Sequence, residues 1–502
     1  MSSLEQPRQM HKHKTTSERL LISVRSKLGE ALEVNGVPQA ASELIQEAEA
    51  LLRKGEQHLA KPRLASISGE DIFQGADEHA RRYLLQTFTE LDLGAAAGHQ
   101  ATSPMRRSQV LSNVSIDIPP DGSVISPSSP KTVAQQALHA FSVQEALHKA
   151  GAFDFDAIAF AALPEVQGQP ITLLGNYMLS SSGYISLLQE TGWLSQGDFE
   201  GRLTRFLTEI DRRYRPEAIY HSSAHATDVM ATICWFLRLP YFSERSSILD
   251  YTLSVIAGAV HDVGHPGFNN DFQKTTFSDL ALRYNDKSVL ENFHVATAFE
   301  LMRDDADCNW FELLNTEYTE NEEETVNLQQ YVRRMLVSIV LGTDMAKHNR
   351  HMKHLTSVVE AEAVELRGQE AMDRTVFLLT AMVHAADISN PCKPRKIMLD
   401  WTERVNLEFW AQGDEEQRLN LPISRMCDRT AGFNAVPAGQ IAFIKFVCEP
   451  YFGLLARLCP EAEECTSSLA ENRKYWEEKD KEKATFDDLF RKPPPPPPPT
   501  KV

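Results

Sequence analysis

From Val133 to about Asp488 the apolar residues recur at helical spacing, in runs separated by short Pro, Gly and Ser breaks. The strict alternation of a half-buried strand is absent. A chain patterned this way buries its apolar surface by packing helix on helix, so the region is expected to be all-α. The most informative run is Leu253 to Val260, where Leu253, Ile256, Ala257 and Val260 share a face. It delivers His261-Asp262-Val263-Gly264-His265, and Pro266-Gly267 is expected to close the helix. A buried Asp beside a buried His is costly unless something compensates. A divalent metal is one compensation; capping of orphan groups at a helix end is another.

At roughly 100–200 residues per domain, 502 residues allow two to four domains, and a 42% hydrophobic content is enough for a sizeable core. Residues 1–65 are expected to be a helical segment with a narrow stripe, Leu20, Leu21, Val24, Leu28 and Leu32. A homodimer through these N-terminal helices and a helix packed on its own domain fit that stripe equally. Residues 66–132 form a mixed segment and polar linker; Arg106-Arg107-Ser108 and the pairs Ser126-Pro127 and Ser129-Pro130 are candidate phosphorylation sites. Residues 133–490 form the helical domain, interrupted by an acidic loop at Glu317 to Glu324. Residues 491–502 form a disordered proline-rich tail, in which Pro493 to Pro499 offers a polyproline II ligand to an SH3- or profilin-type partner; an inert tail is the other reading.

The formal net charge of −18 argues against a general nucleic-acid or anionic-membrane binder. Seven scattered cysteines without a CxxC pair fit a reducing compartment. With no apolar leader-like run and no stretch of about 18 apolar residues, a cytoplasmic protein with no membrane span is expected.

Two further segments carry chemistry. His221 and His225 are four apart and read as neighbours on one helix face, which Val229, Ile233 and Phe236 continue. Thr375 to Pro391 contains a helix apolar on nearly all sides that ends in His384 and Asp387. Assembled, His225, His261, Asp262 and Asp387 make a mixed N/O set suited to zinc, manganese or iron, with no thiolate. The order His, His-Asp, Asp resembles the signature of HD-type metal phosphohydrolases.

From about Phe153 to Phe490 the chain resembles the catalytic domain of class I cyclic nucleotide phosphodiesterases. The resemblance rests on Tyr220-His221-x-x-x-His225-Ala226-x-Asp228-Val229 and on His261-Asp262-Val263-x-His265-Pro266-Gly267-x-x-Asn270. It continues through Tyr284 to Asn292, Thr343-Asp344-Met345, His384 to Pro391, Met426 to Arg429 and Gln440-x-x-Phe443-Ile444. It implies a compact many-helix domain that hydrolyses cyclic AMP or cyclic GMP to the 5′-monophosphate at a binuclear centre. By the same resemblance His225, His261, Asp262 and Asp387 take a tight Zn2+, and Asp262 and waters hold a second ion, Mg2+ or Mn2+. His265, Glu291, His294 and Thr343 position those waters. Water activated between the metals attacks phosphorus, and His221 is the general acid for the departing 3′ oxygen. Gln440 and Phe443 receive the purine, with Val405 as the opposing clamp and Asn390 and Tyr220 on the wall. An amide can donate or accept, so Gln440 and Asn390 leave adenine and guanine open.

The sequence departs from the family at Ser222 (usually Asn), Gly264 (commonly Asp), Phe293 (commonly His) and Met398 (often aromatic), none of them a ligand in this reading. Two other readings remain at this point: an HD phosphohydrolase acting on another phosphoester, and an inactive scaffold that binds nucleotides or partners.

Overall fold

The computed structural model describes residues 142–490, except 182, 317, 320–324, 362–367 and 431–434. The Leu20–Leu32 stripe, the linker prolines, the Pro493–Pro499 tail and most of the acidic stretch lie outside these residues. The longer helices are α1 (Pro170–Asn176), α2 (Phe199–Arg213), α3 (Ser223–Arg238), α4 (Ile248–Val260), α5 (Val289–Asp304), α6 (Leu328–Gly342), α7 (His348–Glu360), α8 (Gly368–Asp387), α9 (Arg395–Arg418), α10 (Ala435–Phe443), α11 (Glu449–Leu458) and α12 (Glu463–Glu482). Among the described residues the strand content is a single two-residue pairing, Tyr318–Thr319 with Thr325–Val326, so the all-α expectation holds.

Sequence decides which helices lie inside. In α2 the buried residues Phe199, Leu203, Phe206, Leu207 and Ile210 form one stripe, and the helix covers the core from outside. By contrast α3 buries everything from Ala224 to Leu237, and α4 buries all of its residues. Helices apolar on all sides belong at the centre; α3 packs along α4, and both pack against α8. One acid is tolerated in α4 because Asp250 is fully committed: it completes a capping box with Ser247 and accepts from Tyr331 Oη at 2.7 Å.

The chain leaves α4 earlier than Pro266-Gly267 suggests. The helix ends at Val260, and His261 and Asp262 stand in the turn that follows. The reversal comes at Gly264, whose φ of +78° is a left-handed conformation open to glycine, and His265 N donates to Asp262 O at 3.0 Å across it. A second expectation also shifts. Helix α3 starts at Ser223, so His221 lies ahead of its N-cap, Ser222, rather than on the face of His225. The two rings still meet edge to face at 5.9 Å, because Glu408 of α9 accepts from the backbone N–H groups of Tyr220 and His221 at 2.7 and 3.1 Å.

Three buried histidines lock the end of α8 against α7. His348 Nδ1 and His384 Nε2 share a hydrogen bond of 3.0 Å, and the His351 ring meets His384 edge-on at 5.2 Å. Burial pushes His348 and His351 down to about 4 and His384 well below its ordinary range. The folded values lie below the unfolded value of about 6.5, so the unfolded chain binds more protons on acidification. Their contribution is complete above about pH 6.5 and is lost between there and about pH 4, on the order of 1.4 kcal/mol per histidine per pH unit. His351→Leu is therefore expected to flatten the fall of Tm with pH in that window. An unchanged slope would show that His351 is already charged in the folded protein.

Candidate metal centre and nucleotide cleft

Three chain segments meet at the centre because α3, α4 and α8 pack together. His225 comes from the first turn of α3, His261 and Asp262 from the turn leaving α4, and Asp387 from the last position of α8. His225 Nε2 stands 3.0 Å from Asp387 Oδ1 and 3.6 Å from Asp262 Oδ2. His261 Nε2 stands 3.0 Å from Asp262 Oδ2, 3.5 Å from Asp387 Oδ1 and 3.4 Å from His225 Nε2. Both imidazoles are fully buried, whereas the Asp387 side chain is 19% exposed and faces the opening.

This cluster is built to hold positive charge. Burial alone would lower the His261 pKa, yet Asp262 and Asp387 raise it well above its ordinary range. Burial likewise opposes ionisation of Asp262, but His261 and His221 hold it well below the usual carboxylate range. His261 Nδ1 donates to the Gly258 carbonyl at 2.9 Å, so Nε2 is the nitrogen that faces the cluster. Donor separations of 3.0–3.6 Å match the edges of a small coordination sphere with bonds of about 2.0–2.2 Å, as zinc forms with His and Asp. The residues present therefore fit a divalent ion.

Around the cluster, His294 donates from Nδ1 to Val263 O at 2.8 Å. Its Nε2 is buried without a hydrogen-bond partner and lies 3.7 Å from Asp262 Oδ1. A buried nitrogen left open toward the cluster is what an ordered water would satisfy. Glu291 accepts from Asn270 Nδ2 at 3.1 Å, and burial, reinforced by Asp344, raises its pKa to about 8. Thr343 follows the last residue of α6, and its hydroxyl donates to Val340 O at 2.8 Å. His265 stacks on His221 at 3.9 Å between centroids and accepts from Gly267 N at Nδ1.

His221 has a partner that the sequence reading missed. Its Nδ1 is in contact with Glu408 Oε1, a carboxylate whose side chain is only 4% exposed. Burial would lower the His221 pKa, but Glu408, with Asp262 and Asp387, raises it to about 9; Glu408 itself is held at about 2 by the His221 charge against its own desolvation. A signal for Glu408 existed. Trp401, Val405, Glu408 and Gln412 fall at helical spacing in α9, so an acid interrupts a face that otherwise belongs to the interior.

His221 and Asp387 open into one cleft, the concave, largely apolar kind of site that small molecules occupy. Tyr220, His221, Asp387, Asn390, Val405, Gln440 and Phe443 all line it. Val405 comes from the face of α9 that also presents Trp401. Gln440 and Phe443 come from α10, where the helix widens into a π turn at Ile444–Cys448. Residues 220–469 match the model of the 3′,5′-cyclic nucleotide phosphodiesterase family. The chain carries a class I cyclic nucleotide phosphodiesterase catalytic domain.

The rat 3′,5′-cyclic-AMP phosphodiesterase 4C is 36% identical over 279 residues, which is 55% of this chain and 50% of that protein. A probable 3′,5′-cyclic-AMP phosphodiesterase, pde-4, of Caenorhabditis elegans is 35% identical over 282 residues, 55% of this chain and 40% of its own length. The match thus spans half or less of those relatives. The phosphodiesterase domain of the RhoPDE fusion protein from the choanoflagellate Salpingoeca rosetta superposes with a TM-score of 0.54 at 26% identity, covering 65% of this chain and 99% of that domain. Phosphodiesterases of this family are metal-dependent. Among the described residues no helix is long and apolar enough to cross a membrane.

Two departures from the phosphodiesterase pattern prove to be one. A Cβ at Gly264 would lie 3.0 Å from Phe293 Cε1 and 3.1 Å from its Cζ, so the ring of Phe293 occupies the space a side chain at 264 would need. Met398 is buried on α9, 3.6 Å from Thr402 Oγ1, and Ser222 Oγ donates to Tyr220 O at 3.3 Å.

Proposed function

We propose that this domain hydrolyses 3′,5′-cyclic nucleotides to nucleoside 5′-monophosphates and so ends a cyclic nucleotide signal. The observation that carries this reading is the shared cleft: Asp387 of the four-donor cluster and His221, with Glu408 behind it, line the same cavity as Gln440 and Phe443. In this reading His225, His261, Asp262 and Asp387 hold Zn2+, and Asp262 shares a second ion, Mg2+ or Mn2+, with waters that His265, Glu291, His294 and Thr343 orient. Bound there, the ions would supply activated water at neutral pH and offset charge on the phosphoryl oxygens.

The chain's own groups perform the remaining work. Glu408 occupies His221 Nδ1, so Nε2 is the nitrogen that delivers a proton to the leaving 3′ oxygen. The Glu408 carboxylate against Nδ1 favours the protonated ring, the state a general acid requires. Phe443 and Val405 bracket the base with apolar surface, while Gln440, Asn390 and Tyr220 offer polar edges. Cyclic AMP is the favoured nucleotide, in keeping with the names of the relatives. All seven cysteines are free and buried, which supports a cytoplasmic setting.

The test is steady-state hydrolysis of cyclic AMP and cyclic GMP with Mg2+, with Mn2+ and after chelation. Metal-dependent release of the 5′-monophosphate is expected, with activity lost to chelator and restored by metal. A metal-loaded protein that turned over neither nucleotide, yet cleaved another phosphoester, would replace this reading with the broader HD phosphohydrolase one.

A further inference from the structure

Behind the cleft wall lies a charged pair with no access to solvent. Lys393 and Asp228 are both 0% exposed, with Nζ 3.3 Å from Asp228 Oδ1. Lys393 follows the short turn Asn390–Cys392, and Asp228 is on α3 one turn beyond His225. The ammonium group is fully invested: it donates to Thr232 Oγ1 at 2.8 Å and to Phe153 O at 3.1 Å, and it lies 4.8 Å above the Phe153 ring. A lysine buried this deeply is retained only with such partners, and replacing such a pair by apolar groups is often neutral for stability. Stability is therefore a poor explanation of the pair.

Its other contact gives a better one. Asp228 Oδ2 accepts from Asn390 Nδ2 at 3.0 Å, while Asn390 Oδ1 accepts from the Tyr220 hydroxyl. An ionised carboxylate cannot donate, so the amide nitrogen of Asn390 must face Asp228 and its oxygen must face Tyr220. Paired with the Lys393 ammonium, the Asp228 carboxylate only accepts, and this forbids the amide flip that an asparagine otherwise makes freely. Asn390 and Tyr220 line the cleft; Asp228 and Lys393 do not.

We propose that the Lys393–Asp228 pair is a positioning device that sets the polarity of Asn390 at the cleft wall and, through it, the choice between a 6-amino and a 6-oxo purine. This rests on the phosphodiesterase reading above and adds to it two residues that touch neither substrate nor metal. Asp228→Asn keeps the side-chain shape but can donate as well as accept, so Asn390 is free to turn over. That variant leaves Lys393 charged and unpaired, so the double variant Asp228→Asn/Lys393→Met, which removes both charges together, is measured beside it.

The experiment uses the metal-loaded full chain. It measures kcat and KM for cyclic AMP and cyclic GMP, Kd for 5′-AMP and 5′-GMP by calorimetry, and metal content. The ratio of the two kcat/KM values is expected to move toward unity by about fivefold or more, the weight of one neutral hydrogen bond. The change should come mainly through KM, with the Kd ratio following and the metal content unchanged. A packing role would instead lower both substrates by the same factor and leave the ratio where it was, and that result would overturn the proposal. So would a wild-type protein that does not discriminate between the two purines. If the wild type turned over neither nucleotide, the phosphodiesterase reading would fail on its own, and the AMP-to-GMP Kd ratio across the three proteins would still decide what Asp228 does.

Discussion

Asp387→Ala is expected to release the tight metal and to lower kcat/KM by more than about 10³-fold, beyond the roughly 10–100-fold that loss of an outer-sphere partner costs. The reason is that Asp387 closes the cluster. Its Oδ1 lies 3.0 Å from His225 Nε2 and 3.5 Å from His261 Nε2, so both imidazoles converge on it. It is also the member most open to the cleft. Without it two buried imidazoles face a single carboxylate, and the donor set loses both a ligand and a charge. Elemental analysis of the purified variant, beside its rate, is the check. Metal content equal to wild type would remove Asp387 from the ligand set.

His221→Ala is expected to do the opposite to the metals and nearly as much to the rate. Its Nδ1 contact goes to Glu408, and its ring stacks on His265, so the four ligating atoms do not depend on it. Metal content should equal that of the wild type while kcat falls by about 10²–10⁴-fold, the usual weight of general acid catalysis. Two signatures separate an acid from a binding residue. The wild-type rate should decline on the alkaline side as His221 loses its proton, and the variant should lack that limb. A substrate whose leaving group needs no proton, such as a p-nitrophenyl phosphodiester, should lose far less. A variant that kept its rate but shed the tight metal would mean that the roles of His221 and His225 are reversed.

Much of the centre was legible because its residues sit at the ends of apolar runs. A helix buried on every side can end in His or Asp only where something receives them, and His261-Asp262 and Asp387 both stand at such ends. The exact way the chain leaves α4 was less legible. Pro266-Gly267 carries a strong stop signal, but the left-handed turn at Gly264 acts first, and a lone glycine in a pattern announces neither φ nor position. Four-residue spacing puts His221 beside His225 only on a helix, and the helix starts at Ser223. What brings His221 there is Glu408, 187 residues away, a pairing that no local pattern encodes. The same holds for Lys393, whose partners Asp228, Thr232 and Phe153 come from other elements. Local periodicity reports which face is buried; it does not report which buried charge meets which.

The contact between Gly264 and Phe293 bears on how this chain and its relatives diverged. The family's commoner Asp at the first position would bring a side chain into a left-handed backbone and against the ring. The Phe293 ring and a side chain at 264 therefore compete for one space, so the two positions are expected to change together. Sequence comparison scores these as two unrelated exchanges, each a mark against the match. In space they are coupled: a side chain restored at 264 alone would require the Phe293 ring to give by a few tenths of an ångström, on a backbone already left-handed there.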